Sequence, residues 1–94
     1  MSHLLIRHKV KDYPAWKKVF DGFIDTRRAS GEKSYQLFHP DDDPNNLVAL
    51  FEWDTLDNAK KFVNGQALKE AMGNAGVVEH PEVYFLEKYT NGKV

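Results

Sequence analysis

The stretch "NLVALFEWDT", from Asn46 to Thr55, decides how the rest of the chain is interpreted. Its five consecutive apolar residues, Leu47 to Phe51, follow a Pro-Asn-Asn turn and lead into Trp53, which predicts a β-strand. Successive side chains of a strand point to opposite faces of its sheet. Because both sets are largely apolar here, we expect both faces of this strand to be covered.

Length and composition describe an ordinary globular domain spanning residues 1–94. The chain is 41% hydrophobic and 29% charged, and its formal net charge of −1 does not suggest nucleic acid as a partner. The absence of cysteine excludes disulfides and thiolate chemistry. The sequence shows neither a signal peptide nor the ~20 apolar residues that a membrane helix needs, so we expect a cytoplasmic protein that does not contact a membrane.

Three further strands are predicted around this one. The first covers about His3 to Val10, the second covers Lys33 to His39, and the last follows Pro81 in "EVYFLEKY". A polar "PDDDPNN" loop separates the second strand from the third.

Two amphipathic helices are predicted between the strands. Asp12 has the position of an N-cap, and a single helix is expected to run from it to Gly31, where a left-handed residue would end it. A second helix begins after Thr55, breaks near Gly65 and continues through "QALKEAMGNAG". The first helix has an apolar stripe at spacings of three and four, formed by Trp16, Val19, Phe20, Phe23 and Ile24, and Arg27 follows at the same spacing.

The resulting order, β-α-β-β-α-β, predicts a ferredoxin-like α+β fold in which both helices cover one face of a four-stranded antiparallel sheet. The other face would remain apolar along the strand from Leu47 to Trp53 and again from Val83 to Leu86. A bare apolar patch of this kind usually marks an interface, and the simplest partner is a second copy of the chain. We therefore expect a homodimer.

The segment "FEWDTLDNAKKFVNGQALKEAM", residues 51–72, resembles the antibiotic biosynthesis monooxygenase family of dimeric α/β barrels. In that family a strand ends in Trp-Asp/Glu-Ser/Thr and a helix leads to a segment like "FKEAH"; the "RHKV" end of the first strand is also similar. The resemblance implies two ferredoxin-like sheets that form a barrel across a homodimer, with a cleft between sheet and helices in each subunit. Some members oxidise phenols or quinols without metal or cofactor, some degrade heme, and others have no known activity.

The resemblance also bears on heme. Trp53 keeps the tryptophan at the end of the strand, but the asparagine, tryptophan and iron-binding histidine of heme-degrading members correspond to His8, Phe62 and Met72. We therefore expect no tight heme binding and no cofactor.

His8 is the leading catalytic candidate, as a base. It shares a strand face with Leu4 and Ile6, and the resemblance implies that it points into the cleft; the alternative is a hydrogen-bonded histidine at the edge of the core. The four histidines lack metal-ligand spacing, so no metal site is expected. The remaining residues expected to line a pocket are Trp53, Tyr35, Phe62, Met72, Trp16 and His80.

Two functions are compatible with these features. The first is a cofactor-independent monooxygenase-like enzyme acting on a small planar aromatic or quinol-type compound. The second is a non-catalytic dimeric module that binds a hydrophobic small molecule. Polar groups converging in the cleft would favour catalysis, whereas a cleft filled by its own aromatic side chains would favour the second function.

Overall fold

Four β-strands form one antiparallel sheet in the computed structural model of the chain, which describes residues 2–77 and 80–94. The strands are β1 (Ser2–Lys9), β2 (Glu32–Phe38), β3 (Asn46–Trp53) and β4 (Glu82–Glu87), in the spatial order β2-β3-β1-β4. The central strand β1 pairs with both β3 and β4, so the two halves of the chain interlock. The predicted ferredoxin-like α+β fold is thereby confirmed.

The helices form two consecutive pairs: α1 (Tyr13–Gly22) and α2 (Ile24–Ser30), then α3 (Leu56–Val63) and α4 (Gln66–Asn74). The prediction of a single first helix was wrong, because the backbone turns at Phe23 (φ −95°, ψ 6°). There the N–H of Phe23 donates to the carbonyl of Phe20 at 3.2 Å, a tighter spacing than that of an α-helix. Gly22, a poor helix former, immediately precedes the turn.

The predicted helix caps are present. The Asp12 side chain accepts a hydrogen bond from the N–H of Ala15, and the Thr55 hydroxyl accepts one from the N–H of Asn58, both at 3.1 Å. Gly31 ends α2 with φ +125°, in the region that favours glycine. A Cβ atom at Gly31 would also collide with the Asp54 carboxylate, so this turn requires glycine on two counts.

The core lies between the helices and one face of the sheet. Leu4, Ile6 and His8 of β1 and the odd-numbered residues of β3 point to this face and are buried. The register places Leu4 opposite Phe51, Ile6 opposite Ala49 and His8 opposite Leu47. His8 thus stands in a row that is otherwise apolar.

The opposite face of the sheet carries a row of large apolar side chains. Leu5 pairs with Leu50 on one side and with Tyr84 on the other. Tyr84 is 52% exposed and Phe38 is 50% exposed. None of the described helices lies on this face. The second set of apolar side chains in β3 therefore points away from the helices.

A β-bulge in β2 changes which residues face the helices. Glu32 pairs with Trp53 and Ser34 pairs with Glu52, so Lys33 is an extra residue in the strand. Without the bulge, residues three apart would face opposite ways. With it, Glu32 is buried beneath the helices while Tyr35 packs on Phe20 from the same side.

Candidate active site between the sheet and the helices

A cavity of about 50 Å³ lies between the sheet and the helices. It is lined almost entirely by apolar atoms, from Ile6, Trp16, Val19, Phe20, Phe23, Arg27, Phe51, Phe62, Leu68, Ala71, Met72 and Ala75. One water molecule needs about 10–15 Å³ and typical ligand pockets measure about 300–1,000 Å³. A planar organic ligand would therefore have to displace some of the lining side chains.

Aromatic rings fill most of the space beneath the helices. The rings of Trp16 and Phe20 stack with centroids 4.7 Å apart and planes 18° apart. Phe62 packs against Phe23 at 6.0 Å and against Trp53 at 5.1 Å. These offset contacts stabilise the closed cleft, and a flat ligand ring could replace any of them.

His8 lies beside this aromatic group, with its ring centroid 5.6 Å from that of Trp16. Its side chain is 4% exposed, and neither ring nitrogen has a hydrogen-bond partner among the described residues. Burial, helped by the positive charge of Arg7, lowers the pKa of His8 from 6.5 to about 4. The imidazole is therefore neutral at physiological pH, with one of its two ring nitrogens unprotonated.

Arg27 and Glu32 form a buried ion pair at the cleft. Nη1 of Arg27 donates to both carboxylate oxygens of Glu32, at 3.1 and 3.4 Å. The guanidinium carbon lies 3.6 Å from the centre of the Phe20 ring, close enough for a cation–π contact. Burial raises the pKa of Glu32 to about 7 despite the nearby guanidinium, and burial lowers the pKa of Arg27.

Trp53 is completely buried at the end of β3. Its indole Nε1 has no hydrogen-bond partner among the described residues. Buried N–H groups are normally paired, so this donor joins the His8 nitrogens among the buried polar atoms that the described part of the chain leaves unsatisfied.

The structure brings only part of the predicted pocket together. Trp16, Phe62 and Met72 line the cavity. His8 and Trp53 lie behind its wall, where His8 contacts Trp16 and Trp53 contacts Phe62.

The two other predicted residues lie at the margins. Tyr35 is 36% exposed and meets the Phe20 ring edge-on at 5.0 Å. His80 lines a surface groove beside Pro81 and Val83, and this groove shares Leu68 and Met72 with the cavity. Leu68 and Met72 thus lie between the cavity and the groove.

Metal binding and membrane insertion find no support in the described parts of the chain. Within residues 2–77 and 80–94, no three His, Cys, Asp or Glu side chains come close enough together to hold a metal ion. None of the helices described there has the length and apolar character needed to cross a membrane.

Arg27 and Glu32 were missed as site residues. The available signal was the position of Arg27 at the end of the apolar stripe of the first helix, where a charged residue is out of place. Nothing in the sequence pattern indicated the bulge at Lys33 that turns Glu32 inward.

Solved structures that share this ferredoxin-like fold match nearly the whole chain. An antibiotic biosynthesis monooxygenase is 15% identical, with a TM-score of 0.71, and the match covers 96% of this chain and 100% of that one. SnoaB, a cofactor-independent oxygenase from Streptomyces nogalater, is 13% identical, with a TM-score of 0.70 and 93% coverage of each chain.

A conserved protein from Methanosarcina mazei Go1 shares the same fold, at 15% identity and a TM-score of 0.72, over 93% of this chain and 91% of that one. No protein-family model and no curated protein matches the sequence. The structural matches confirm the fold that the segment 51–72 suggests, the fold of antibiotic biosynthesis monooxygenases.

Proposed function

We propose that this protein is a cofactor-independent oxygenase that acts on a small phenol or quinol bound between the sheet and the helices. The observation that carries the proposal is His8, a buried neutral imidazole without a hydrogen-bond partner among the described residues, next to an aromatic cleft. The structural likeness to SnoaB, itself a cofactor-independent oxygenase, supports the same reaction type.

In this proposal His8 removes a proton from the bound substrate. The dry, aromatic surroundings deprive the substrate anion of the water that would otherwise stabilise its charge. The anion would therefore be reactive towards O₂. One oxygen atom would remain on the attacked ring carbon as a quinone carbonyl, and the other would leave as water together with the hydrogen of that carbon and the hydroxyl hydrogen that His8 removed. The chain itself supplies a base, orientation and exclusion of water.

Substrate binding requires the cleft to widen. The cavity has room for only a few water-sized molecules, and Trp16 lies between the cavity and His8. Met72 is an unbranched side chain with several rotatable bonds, so it can yield to a ligand coming from the groove beside His80. The ring of the substrate would then occupy the position of a displaced aromatic side chain.

The test is an oxygen-consumption screen of phenols and quinols with the wild type and the His8→Leu variant. Leucine keeps most of the volume of the buried side chain but removes the base. We expect turnover by the wild type of at least one compound, and a loss of about 100-fold or more in the variant. His39→Leu, on an exposed histidine, is the matched control and should keep full activity.

A non-catalytic module that binds a hydrophobic small molecule is the second candidate. The observation in its favour is that the protein's own aromatic rings fill most of the cleft, as expected for a site without chemistry. Binding of quinols without oxygen consumption, equally tight in wild type and His8→Leu, would establish this function in place of catalysis.

We also propose that the protein is a homodimer that pairs through the uncovered face of the sheet. The row of Leu5, Leu50 and Tyr84 runs across three strands of this face. Burial of each large apolar side chain contributes roughly 1.5–3 kcal/mol, so a few of them in each subunit suffice for a stable contact. The two sheets would then face each other across a two-fold axis.

A further inference from the structure

Among the described residues, Arg27 is the one cationic side chain that lines the cavity. It is 2% exposed, and its Nη1 is engaged by Glu32. Its Nε and Nη2 atoms have no hydrogen-bond partner among the described residues. Leaving donors of a charged group unpaired in a buried site is costly, so these atoms call for a partner.

The two free atoms form a complete binding edge. In a guanidinium group the N–H of Nε and one N–H of Nη2 point in parallel, which is the geometry that pairs with both oxygens of a carboxylate. Glu32 occupies the Nη1 side and leaves this edge open. Phe20 supports the guanidinium plane from its face, so the group is held in one orientation.

We propose that the open edge of Arg27 binds an anionic group of the ligand, and that the preferred ligands are planar aromatic compounds carrying a carboxylate. The apolar cavity would take the ring, and Arg27 would hold the two carboxylate oxygens side by side. The assignment deepens the proposed function, on which it rests, by naming the substrate class of the same cleft.

The experiment compares benzoate with benzamide, a neutral compound of the same shape. Binding is measured by titration of the ¹⁵N-labelled protein, followed through the amide signals and through the side-chain Nε–H signal of Arg27. We expect benzoate to bind roughly 10- to 100-fold more tightly than benzamide, because hydrogen bonds to charged groups contribute this much. The Nε–H signal should shift with benzoate and not with benzamide.

Three variants separate binding from folding. Arg27→Lys keeps the charge but lacks the paired donors, so it should lose most of the preference for benzoate. Arg27→Met combined with Glu32→Gln removes the whole ion pair without leaving a buried charge, and should bind both compounds equally. Arg28→Met alters the neighbouring, exposed arginine and should behave as the wild type.

The outcomes distinguish this inference from the proposed function. Equal affinity of the wild type for both compounds, no binding of benzoate at millimolar concentration, or a preference that survives in the double variant would each overturn the role of Arg27. If the double variant still oxidises a phenol that carries a carboxylate at the wild-type rate, the oxygenase stands and the inference falls. Benzoate binding that depends on Arg27, in a protein that consumes no oxygen, would support the inference and refute the oxygenase.

Discussion

Replacement of His8 by leucine should make the protein more resistant to acid. His8 is buried without a partner among the described residues, and its pKa is lowered from 6.5 to about 4. Between these two pH values the unfolded chain binds a proton at His8 that the folded protein does not accept. Protonation of His8 therefore increasingly favours unfolding as the pH falls from 6.5 to 4. Outside this window the effect of His8 on stability no longer changes with pH.

The size of the effect follows from the same two values. The difference between the pKa of His8 in the unfolded chain, 6.5, and in the folded protein, about 4, corresponds to about 3 kcal/mol of unfolding free energy. Glu32 acts in the opposite direction, because its pKa is raised from 4.5 to about 7 and its contribution is lost as the pH rises through this range. The wild-type profile is therefore flattened, but subtraction of the two proteins cancels the part that Glu32 contributes.

The assay is urea unfolding of wild type and His8→Leu at intervals from pH 7.5 to pH 4. The variant should gain stability relative to the wild type as the pH falls, reaching about 3 kcal/mol near pH 4. His39→Leu, on the exposed histidine, serves as the control and should follow the wild type. Parallel profiles for His8→Leu and wild type would show that His8 is protonated normally in the folded state, and the argument for a neutral base would fail.

The remaining predictions concern other parts of the molecule. Leu50→Lys places a charge in the uncovered apolar face, so sedimentation should give twice the chain mass for the wild type and the single mass for the variant; a monomeric wild type would refute the dimer. Hemin titration should produce no Soret shift that depends on Met72, and a stoichiometric complex abolished by Met72→Ala would contradict this. Replacement of the buried pair by Arg27→Met with Glu32→Leu should leave stability equal or raise it by up to about 4 kcal/mol, as in other buried ion pairs; a large loss in urea unfolding would assign the pair a purely structural role.

Much of the fold could be predicted from local patterns. Alternation along β1 and β3 predicted which residues share a face, because the side-chain period of a strand is fixed at two, although both faces of β3 are apolar and the pattern left open which one the helices cover. The caps at Asp12 and Thr55 were predictable because a side-chain oxygen at the start of a helix satisfies a backbone N–H that would otherwise have no partner. The break at Phe23 was not, since the apolar stripe continues through it and hides the turn.

The site was less predictable, because it depends on distances between elements. The sequence placed His8 on the helix-facing side of β1, but only packing shows that Trp16 covers it. Tyr35 was assigned to the pocket by its residue type and lies instead at the sheet edge. A single extra residue, Lys33, decides whether Glu32 points to the helices or away, and a bulge of one residue leaves little trace in a sequence pattern.

The buried polar groups favour a ligand over a purely structural core. The space between sheet and helices is apolar, and an apolar core gains nothing from a lone imidazole or an ion pair with open donors. Both occur here on the helix-facing side of the sheet, His8 beside Trp16 and Arg27 on Phe20. Trp16 contacts His8 and stacks on Phe20, which supports Arg27, so a flat molecule in the place of Trp16 would lie on Phe20 and close to both groups. A site that removes a proton from an aromatic anion needs a base for the proton, space for the ring and a cation that holds the anion in place. The three occur here side by side.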